Sequence, residues 1–230
     1  KGLVICTKKM KSLTIKPYSG IVEAEAGVML PTLSNSLAKN GLQGGEWAVG
    51  IPGTLGGAIY MNAGTGNLSL AKNLISVKVI NNKTNEKLEI EKKDINFDYR
   101  FSSFQNNDLA IISARLHFEP HGNHKKLIQT TQKNLKLKTE TQPYHLPSFG
   151  SVFKNPKNSY AAKLIDDMGL KGFKIGGAEI STMHSNFIIN NSSASSKDIY
   201  DLITVIQQKV LQKKGIFLKP EVRMIGFDYP

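Results

Sequence analysis

The sequence predicts an α+β protein of two domains, and three observations predict it. Residues 1–120 hold most of the alternating apolar–polar runs that mark half-buried strands. The segment Pro120-His121-Gly122-Asn123 breaks that pattern, and the composition shifts there. Beyond it, helical stripes alternate with short apolar runs. A chain of 230 residues can hold one large domain or two smaller ones. The break divides it into 1–120 and 121–230.

The elements follow in order. Gly2-Leu3-Val4-Ile5-Cys6 reads as a strand, and Ile21–Gly27 alternates as another. A helix comes next, with Pro31 in its first turn, Leu33 and Leu37 on one face and Gly41 past its end. Ile75–Val79 alternates, Asn81-Asn82-Lys83 turns, and Leu88-Glu89-Ile90 returns as a hairpin. Ile111–Phe118 closes the strand-rich part. His124–Thr139 reads as a basic helix with a modest face of Leu127, Ile128 and Leu135. Pro143 and Pro147 stop it. A short strand at Ser151-Val152-Phe153 precedes a helix at Ala161–Met168, which Gly169 ends. Phe187-Ile188-Ile189 is a strand. The strongest helix carries Ile199, Leu202, Ile203, Ile206 and Val210 on one stripe. Ser195 and Asp198 stand at capping-box spacing before it, and Gly215 stands after it. Pro220–Gly226 reads as a closing strand.

Bulk properties exclude several functions. The chain is 40% hydrophobic, enough for a real core, yet no apolar run approaches the roughly 18 residues of a membrane span. No basic-then-apolar leader stands at the start, and a cytoplasmic protein is the natural reading. Cys6 is the lone cysteine, which excludes an internal disulfide, a cysteine-based zinc site and an iron–sulfur cluster. The net charge of +12 invites a nucleic-acid partner. The arginines are only Arg100, Arg115 and Arg223; the lysines are scattered, and no aromatic-interleaved basic motif accompanies them. Nucleic acid is therefore not expected as a partner, and solvated lysine is the ordinary reading.

The candidate chemistry begins at Gly50–Gly64, where five glycines and Pro52 lie among small and apolar residues. Glycine lets a ligand approach the backbone closely, and a run of free amides makes a cradle for phosphate. No Gly-Lys-Ser/Thr follows, so this is not a Walker loop, nor is it a clean Gly-x-Gly-x-x-Gly. On composition alone it is equally a glycine-rich turn packed between strands.

Its full form, Gly50-Ile51-Pro52-Gly53-Thr54-Leu55-Gly56-Gly57-Ala58 followed by Asn62-Ala63-Gly64, closely resembles the flavin-binding loop of the UDP-N-acetylenolpyruvoylglucosamine reductase (MurB) family. Tyr99-Arg100-Phe101-Ser102 resembles the family's Tyr-Arg-x-Ser motif. Gly150-Ser151-Val152-Phe153-Lys154-Asn155-Pro156 resembles its Gly-Ser-x-Phe-Lys-Asn-Pro signature. Pro220-Glu221-Val222 resembles its C-terminal Pro-Glu-Val. Alone, Arg100 could be a surface arginine, Ser151 a turn serine, and Glu221 a partner for Arg223 or a lysine. The stretches Gly169–Gly172, Ile175–Ser181 and His184–Asn190 also match, and read as packing and turns. His184 has no partner at metal-ligand spacing, and no metal is expected.

The resemblance runs through nearly the whole chain and carries several expectations. It implies an FAD-binding domain of the PCMH or vanillyl-alcohol-oxidase type followed by an α/β substrate-binding domain. It implies a monomer that reduces a UDP-sugar enolpyruvate with NADPH, through FAD, for peptidoglycan synthesis. Arg100, Ser151 and Glu221 would be catalytic. Gly50, Ile51, Pro52, Gly53, Thr54, Gly56, Gly57, Ala58 and Arg223 would meet the flavin, and Lys154 and Asn155 the substrate. The short interval between Arg100 and Ser151 matches the shorter, type II form.

Two departures stand out. Thr65-Gly66 replaces the Ala-Tyr-Gly that commonly follows the loop. The family's N-terminal segment, with a Gly-Gly-Gly-Ser-Asn-like loop for the FAD pyrophosphate, does not stand before Gly2 in this sequence, which reads either as a fragment or as a divergent protein with weakened flavin binding. A non-catalytic remnant that binds a nucleotide sugar or a partner, and another FAD-linked oxidoreductase on the same fold, are the competing readings.

Overall fold

The structure is a computed structural model and describes residues 4–226. The chain divides into two compact units, the first ending at Leu137 and the second starting at Lys138.

In the first unit, strands β1 (Leu13–Lys16) and β2 (Ile21–Glu25) pair antiparallel, with Leu13 opposite Ala24. Helix α1 (Leu30–Lys39) has Pro31 in its first turn and buries Leu30, Leu33 and Leu37 on one stripe. Helix α2 (Leu55–Tyr60) rises inside the glycine-rich segment. Strands β3 (Gly64–Thr65) and β4 (Leu68–Ser69) form a small hairpin. Strands β5 (Leu74–Asn81) and β6 (Lys87–Glu91) form a longer one, with Val77 opposite Ile90. Strands β7 (Phe97–Asp98) and β8 (Phe101–Ser102) make a tight two-residue hairpin around Tyr99 and Arg100. Strand β9 (Leu109–His117) then enters the middle of a five-stranded antiparallel sheet of order β1-β2-β9-β5-β6. The core under this sheet gathers Val22, Leu33, Leu37, Leu55, Ile59, Val77, Val79, Leu116 and Phe118. Each such side chain stabilises the fold by roughly 1.5–3 kcal/mol on burial.

Helix α3 (His124–Thr141) crosses from the first unit into the second, so the division falls inside a helix and not at the composition break near 120. The physical reason lies in the start of that helix. Leu127 and Thr131 are buried, His124 Nδ1 lies 2.8 Å from the Lys39 carbonyl, and Asn134 Nδ2 donates to the Glu46 carbonyl at 3.1 Å. Leu135, placed on the apolar face by sequence, is exposed.

The second unit holds β10 (Ser148–Ser151), α4 (Ala161–Asp166), β11 (Lys174–Ile175), β12 (Ala178–Ile180), β13 (Phe187–Asn190) and α5 (Ser196–Lys214). Its four strands pair antiparallel in the order β10-β13-β12-β11. Helix α5 buries Leu202, Ile203, Ile206 and Val210. Both halves of the Ser195/Asp198 capping box form at its start, and Gly215 closes it in the left-handed region, φ 65°.

Three strand expectations change. Of the strand expected at Gly2–Cys6, Gly2 and Leu3 lie outside the described residues. Val4–Cys6 form no strand, and Val4 and Ile5 are exposed. The strand expected at Ser151–Phe153 sits earlier, at Ser148–Ser151, with a bulge between its paired ends. The closing strand expected at Pro220–Gly226 reduces to a single antiparallel bridge between Phe153 and Pro220. Proline has no N–H, and this bridge does not ask it for one: the flanking bonds come from Lys154 and Glu221.

Candidate active site

The glycine-rich segment is more occupied than a run of free amides. A 3₁₀ turn at Glu46–Gly50 leads in, and Ile51 N–H returns to the Ala48 carbonyl. Gly53 N–H donates to Ile51 O, Leu55 N–H to Val28 O, Gly56 N–H to Ala26 O and Ala58 N–H to Thr54 O, all within 3.1 Å. Thr54 caps α2 by accepting the Gly57 N–H at 3.4 Å. The two sides of the loop therefore differ. Gly56 packs: a Cβ there would stand 2.9 Å from the Ala26 Cβ. Gly53 opens outward: a Cβ there would meet nothing within 4 Å. Beside it, the Thr54 N–H has no acceptor among the described residues. Gly57 and Pro52 are exposed, whereas Gly50 and Ala58 are buried.

The far end of α2 is tied to the turn that carries Arg100. Ser102 Oγ donates to the Tyr60 carbonyl at 2.7 Å, and Gln105 Nε2 donates to the same oxygen at 2.9 Å. Gln105 Nε2 also reaches the Arg100 carbonyl at 3.2 Å, and Asn62 Nδ2 donates to the Asp98 carbonyl at 2.9 Å. Arg100 itself has φ 53°, a left-handed conformation that disfavours any side chain. Its Nη2 donates to the Gly64 carbonyl at 3.2 Å, and its guanidinium carbon lies 5.1 Å from the Tyr99 ring centroid. A half-buried guanidinium held this way has its direction fixed by the chain itself. Gln105 carries no motif, and only the fold reveals its part. Thr65 completes β3, and the exposed Gly66 turns toward β4.

In the second unit, Ser151 ends β10 beside Gly150, whose φ is 81° and whose missing side chain faces open space. Bulges of this kind re-aim side chains. Ser151 is half-buried, and its hydroxyl makes no hydrogen bond among the described residues. Glu221 N–H donates to the Val152 carbonyl at 2.7 Å, and Lys154 N–H to the Lys219 carbonyl at 2.9 Å. This register brings Glu221 alongside the residue that follows Ser151, so Ser151, Lys154 and Glu221 come from one pair of neighbouring segments. Asn155 is exposed, and its Oδ1 accepts the Ala161 N–H at 3.0 Å at the start of α4. Arg223 is exposed and lines an open cavity of about 320 Å³ with Phe149, Tyr200 and Met224.

His184 packs edge-on against Phe187, with ring centroids 4.8 Å apart. Burial chiefly holds its pKa below the ordinary 6.5, and the nearby Lys138 and Lys171 push the same way. No group of three metal-ligating side chains occurs among the described residues. No helix among them is long and apolar enough to cross a membrane.

Residues 142–225 match the family model "UDP-N-acetylenolpyruvoylglucosamine reductase, C-terminal domain", and residues 1–87 match "FAD binding domain". A UDP-N-acetylenolpyruvoylglucosamine reductase from Prochlorococcus marinus subsp. pastoris is 76% identical over 230 residues, covering 100% of this chain and 78% of that protein. One from a second Prochlorococcus marinus strain is 47% identical over 227 residues, covering 99% of this chain and 74% of the relative. The crystal structure of the reductase (MurB) from Thermus caldophilus superposes with a TM-score of 0.77 at 31% identity. It covers 87% of this chain and 71% of that one. With residues 142–225 matching the family's C-terminal domain and a relative 76% identical over the whole chain, this chain belongs to the UDP-N-acetylenolpyruvoylglucosamine reductase family.

Proposed function

We propose that this chain reduces UDP-N-acetylglucosamine enolpyruvate to UDP-N-acetylmuramate, a peptidoglycan precursor, with NADPH as reductant and FAD as carrier. FAD binding falls chiefly to the first unit and substrate binding chiefly to the second. The open side of the glycine-rich loop supports the holding role: Gly53 leaves space, and the Thr54 N–H is available to an acceptor. Gly50, Ile51, Pro52, Gly56, Gly57 and Ala58 shape that loop, and Arg223 stands with the flavin contacts. The chemistry that FAD supplies when bound is hydride transfer, in from NADPH and out to the enolpyruvyl methylene carbon.

The chain's own residues handle the charge and the proton. Hydride arrival pushes an electron pair onto the neighbouring carbon, which bears the substrate carboxylate. Arg100 binds that carboxylate through its planar guanidinium and stabilises the developing charge. Glu221, preorganised by its register with Val152, polarises the same group through a shared proton. Ser151 then gives its hydroxyl proton to the carbanionic carbon, forming the new C–H bond, and regains a proton from water. An alcohol is a weak acid, but a carbanion is a strong base, so the transfer runs downhill. Lys154 and Asn155 meet the substrate diphosphate. The protein works as a cytoplasmic monomer, where NADPH and nucleotide sugars are made, and takes no nucleic-acid partner.

One observation carries this reading: a half-buried Ser151 hydroxyl with no hydrogen bond among the described residues stands one residue from the Val152 carbonyl that accepts the Glu221 N–H. The purified protein is expected to be yellow and to oxidise NADPH continuously only when the enolpyruvyl sugar nucleotide is present. Ser151→Ala should leave NADPH bleaching of the flavin intact and slow product formation about 10²–10⁴-fold. A protein that takes up no FAD overturns the function; a Ser151→Ala variant that forms product at the normal rate overturns the proton-donor role.

A further inference from the structure

Val152 and Phe153 present four backbone polar groups, and both residues are buried. Buried groups of this kind must be paired, so where each one goes is informative. Val152 N–H donates to the Asn186 carbonyl at 2.8 Å. Phe153 N–H donates to Asn186 Oδ1 at 3.0 Å, and the Phe153 carbonyl accepts from Asn186 Nδ2 at 2.9 Å. The fourth group, the Val152 carbonyl, accepts from Glu221 N–H. One residue thus satisfies three of the four, and the fourth belongs to Glu221.

The Asn186 amide behaves as a peptide group inserted into a ladder. It continues the β13–β10 pairing past the point where β10 ends at Ser151. Asn186 is 4% exposed, and its own N–H donates to His184 Nδ1 at 3.3 Å. The chemistry selects asparagine. Aspartate has no donor for the Phe153 carbonyl, glutamine is one methylene longer, and a hydroxyl cannot serve both groups at that separation. On one edge of residues 152–153 lies Asn186, on the other Pro220–Glu221, and immediately before them lies Ser151.

We propose that Asn186 is a positioning residue for the protonation step, fixing the Ser151 and Glu221 main chains relative to one another through Val152 and Phe153. This rests on the function proposed above and adds to it a residue that touches neither substrate nor cofactor.

The test uses the full chain, loaded with FAD, in the Asn186→Ala and Asn186→Asp variants. FAD content per protein and flavin reduction by NADPH without substrate should be unchanged. Product formation should slow about 10²-fold for Ala, as a small misplacement of reacting groups commonly does, and less for Asp, which keeps the acceptor. The loss should fall on kcat more than on KM. The rate ratio between H₂O and D₂O should rise, because only proton transfer has been impaired. In a Ser151→Ala background, Asn186→Ala should add no further loss.

Hydrogen exchange gives a readout independent of turnover: the amides of Val152, Phe153 and Glu221 should exchange faster in both variants. Unchanged exchange at those amides overturns the clamp. A parallel slowing of both half-reactions, or a rate loss with an unaltered isotope ratio, shows a merely structural role and overturns the proposal. If the unmodified protein fails to turn over the enolpyruvyl substrate, the proposed function falls, while the exchange experiment still decides whether Asn186 holds the register.

Discussion

The two units hold their candidate site residues by different means. In the first, the Arg100 turn and the end of α2 are joined by separate side-chain ties to distant carbonyls: Arg100 to Gly64, Ser102 and Gln105 to Tyr60, Asn62 to Asp98. In the second, Ser151 rides on strand pairing and Glu221 on the single Phe153–Pro220 bridge beside it, with the Asn186 amide completing the ladder. Separate ties can be lost one at a time, each at the modest net worth of a hydrogen bond. A ladder is cooperative, and a break in it moves every group downstream. The first arrangement tolerates small errors around Arg100; the second sets Ser151 and the Glu221 side chain in one step.

This contrast can be broken at its tightest point. Gly64 lies so close to the β4 main chain that a Cβ would fall on the Leu68 carbonyl, with the Ser69 Cα only 3.0 Å away. Gly64→Ala should therefore destabilise the protein by about 3 kcal/mol, at the upper end for overpacking, and displace the carbonyl that Arg100 holds. Urea unfolding measures the first effect; a rise in substrate KM reports the second. A variant as stable as the parent would show that the β3–β4 hairpin yields easily.

Removing one tie should do less. Gln105→Ala leaves the Tyr60 carbonyl its bond from Ser102, so the expected loss is about 1 kcal/mol, or a melting temperature lower by roughly 2–4 °C. A drop several times larger would mean that the ties act as one network.

The smallest effect is electrostatic and belongs to the second unit. Burial lowers the folded-state pKa of His184 below 6.5, so the unfolded chain binds that proton more readily. The stability contributed by the neutral ring is full above pH 6.5. It declines as pH falls from there toward the lower folded value. His184→Gln should flatten that decline in urea melts run between pH 7.5 and 5. An unchanged slope would assign the decline to other groups.

How much of this was legible in the sequence depended on whether local and tertiary signals agreed. Helix α5 shows stripe, capping box and terminal glycine in the sequence, and all three appear in the structure. The β5–β6 hairpin is equally plain. Helix α2 is hidden because Gly56 and Gly57 are poor helix formers. Tertiary bonds from Leu55 and Gly56 to Val28 and Ala26, with burial of Leu55, Ala58 and Ile59, override that propensity. The apparent strand at Pro220–Gly226 fails for the opposite reason: it alternates well, but among the described residues its one bridge is to Phe153. Motifs pointed to Arg100, Ser151 and Glu221 as residues. The pairing of Ser151's segment with Glu221's is long-range, and no local pattern contains it. Gln105 lies in no motif, and Asn186 lies in the His184–Asn190 stretch that reads as packing; the bonds of their side-chain amides to distant main-chain groups leave no local pattern.

The place of β9 in its sheet has a consequence for how the molecule is made. Order β1-β2-β9-β5-β6 puts the last strand of the first unit between two hairpins that precede it in the chain. As the chain leaves the ribosome, β1–β2 and β5–β6 can each close locally, but each keeps an open edge until Leu109–His117 has emerged. Sheets that depend on such late, non-local pairing fold slowly and expose sticky edges meanwhile. Synthesis of this protein therefore passes through a stage in which two unjoined hairpins wait for one strand, and a pause in translation before His117 would prolong it.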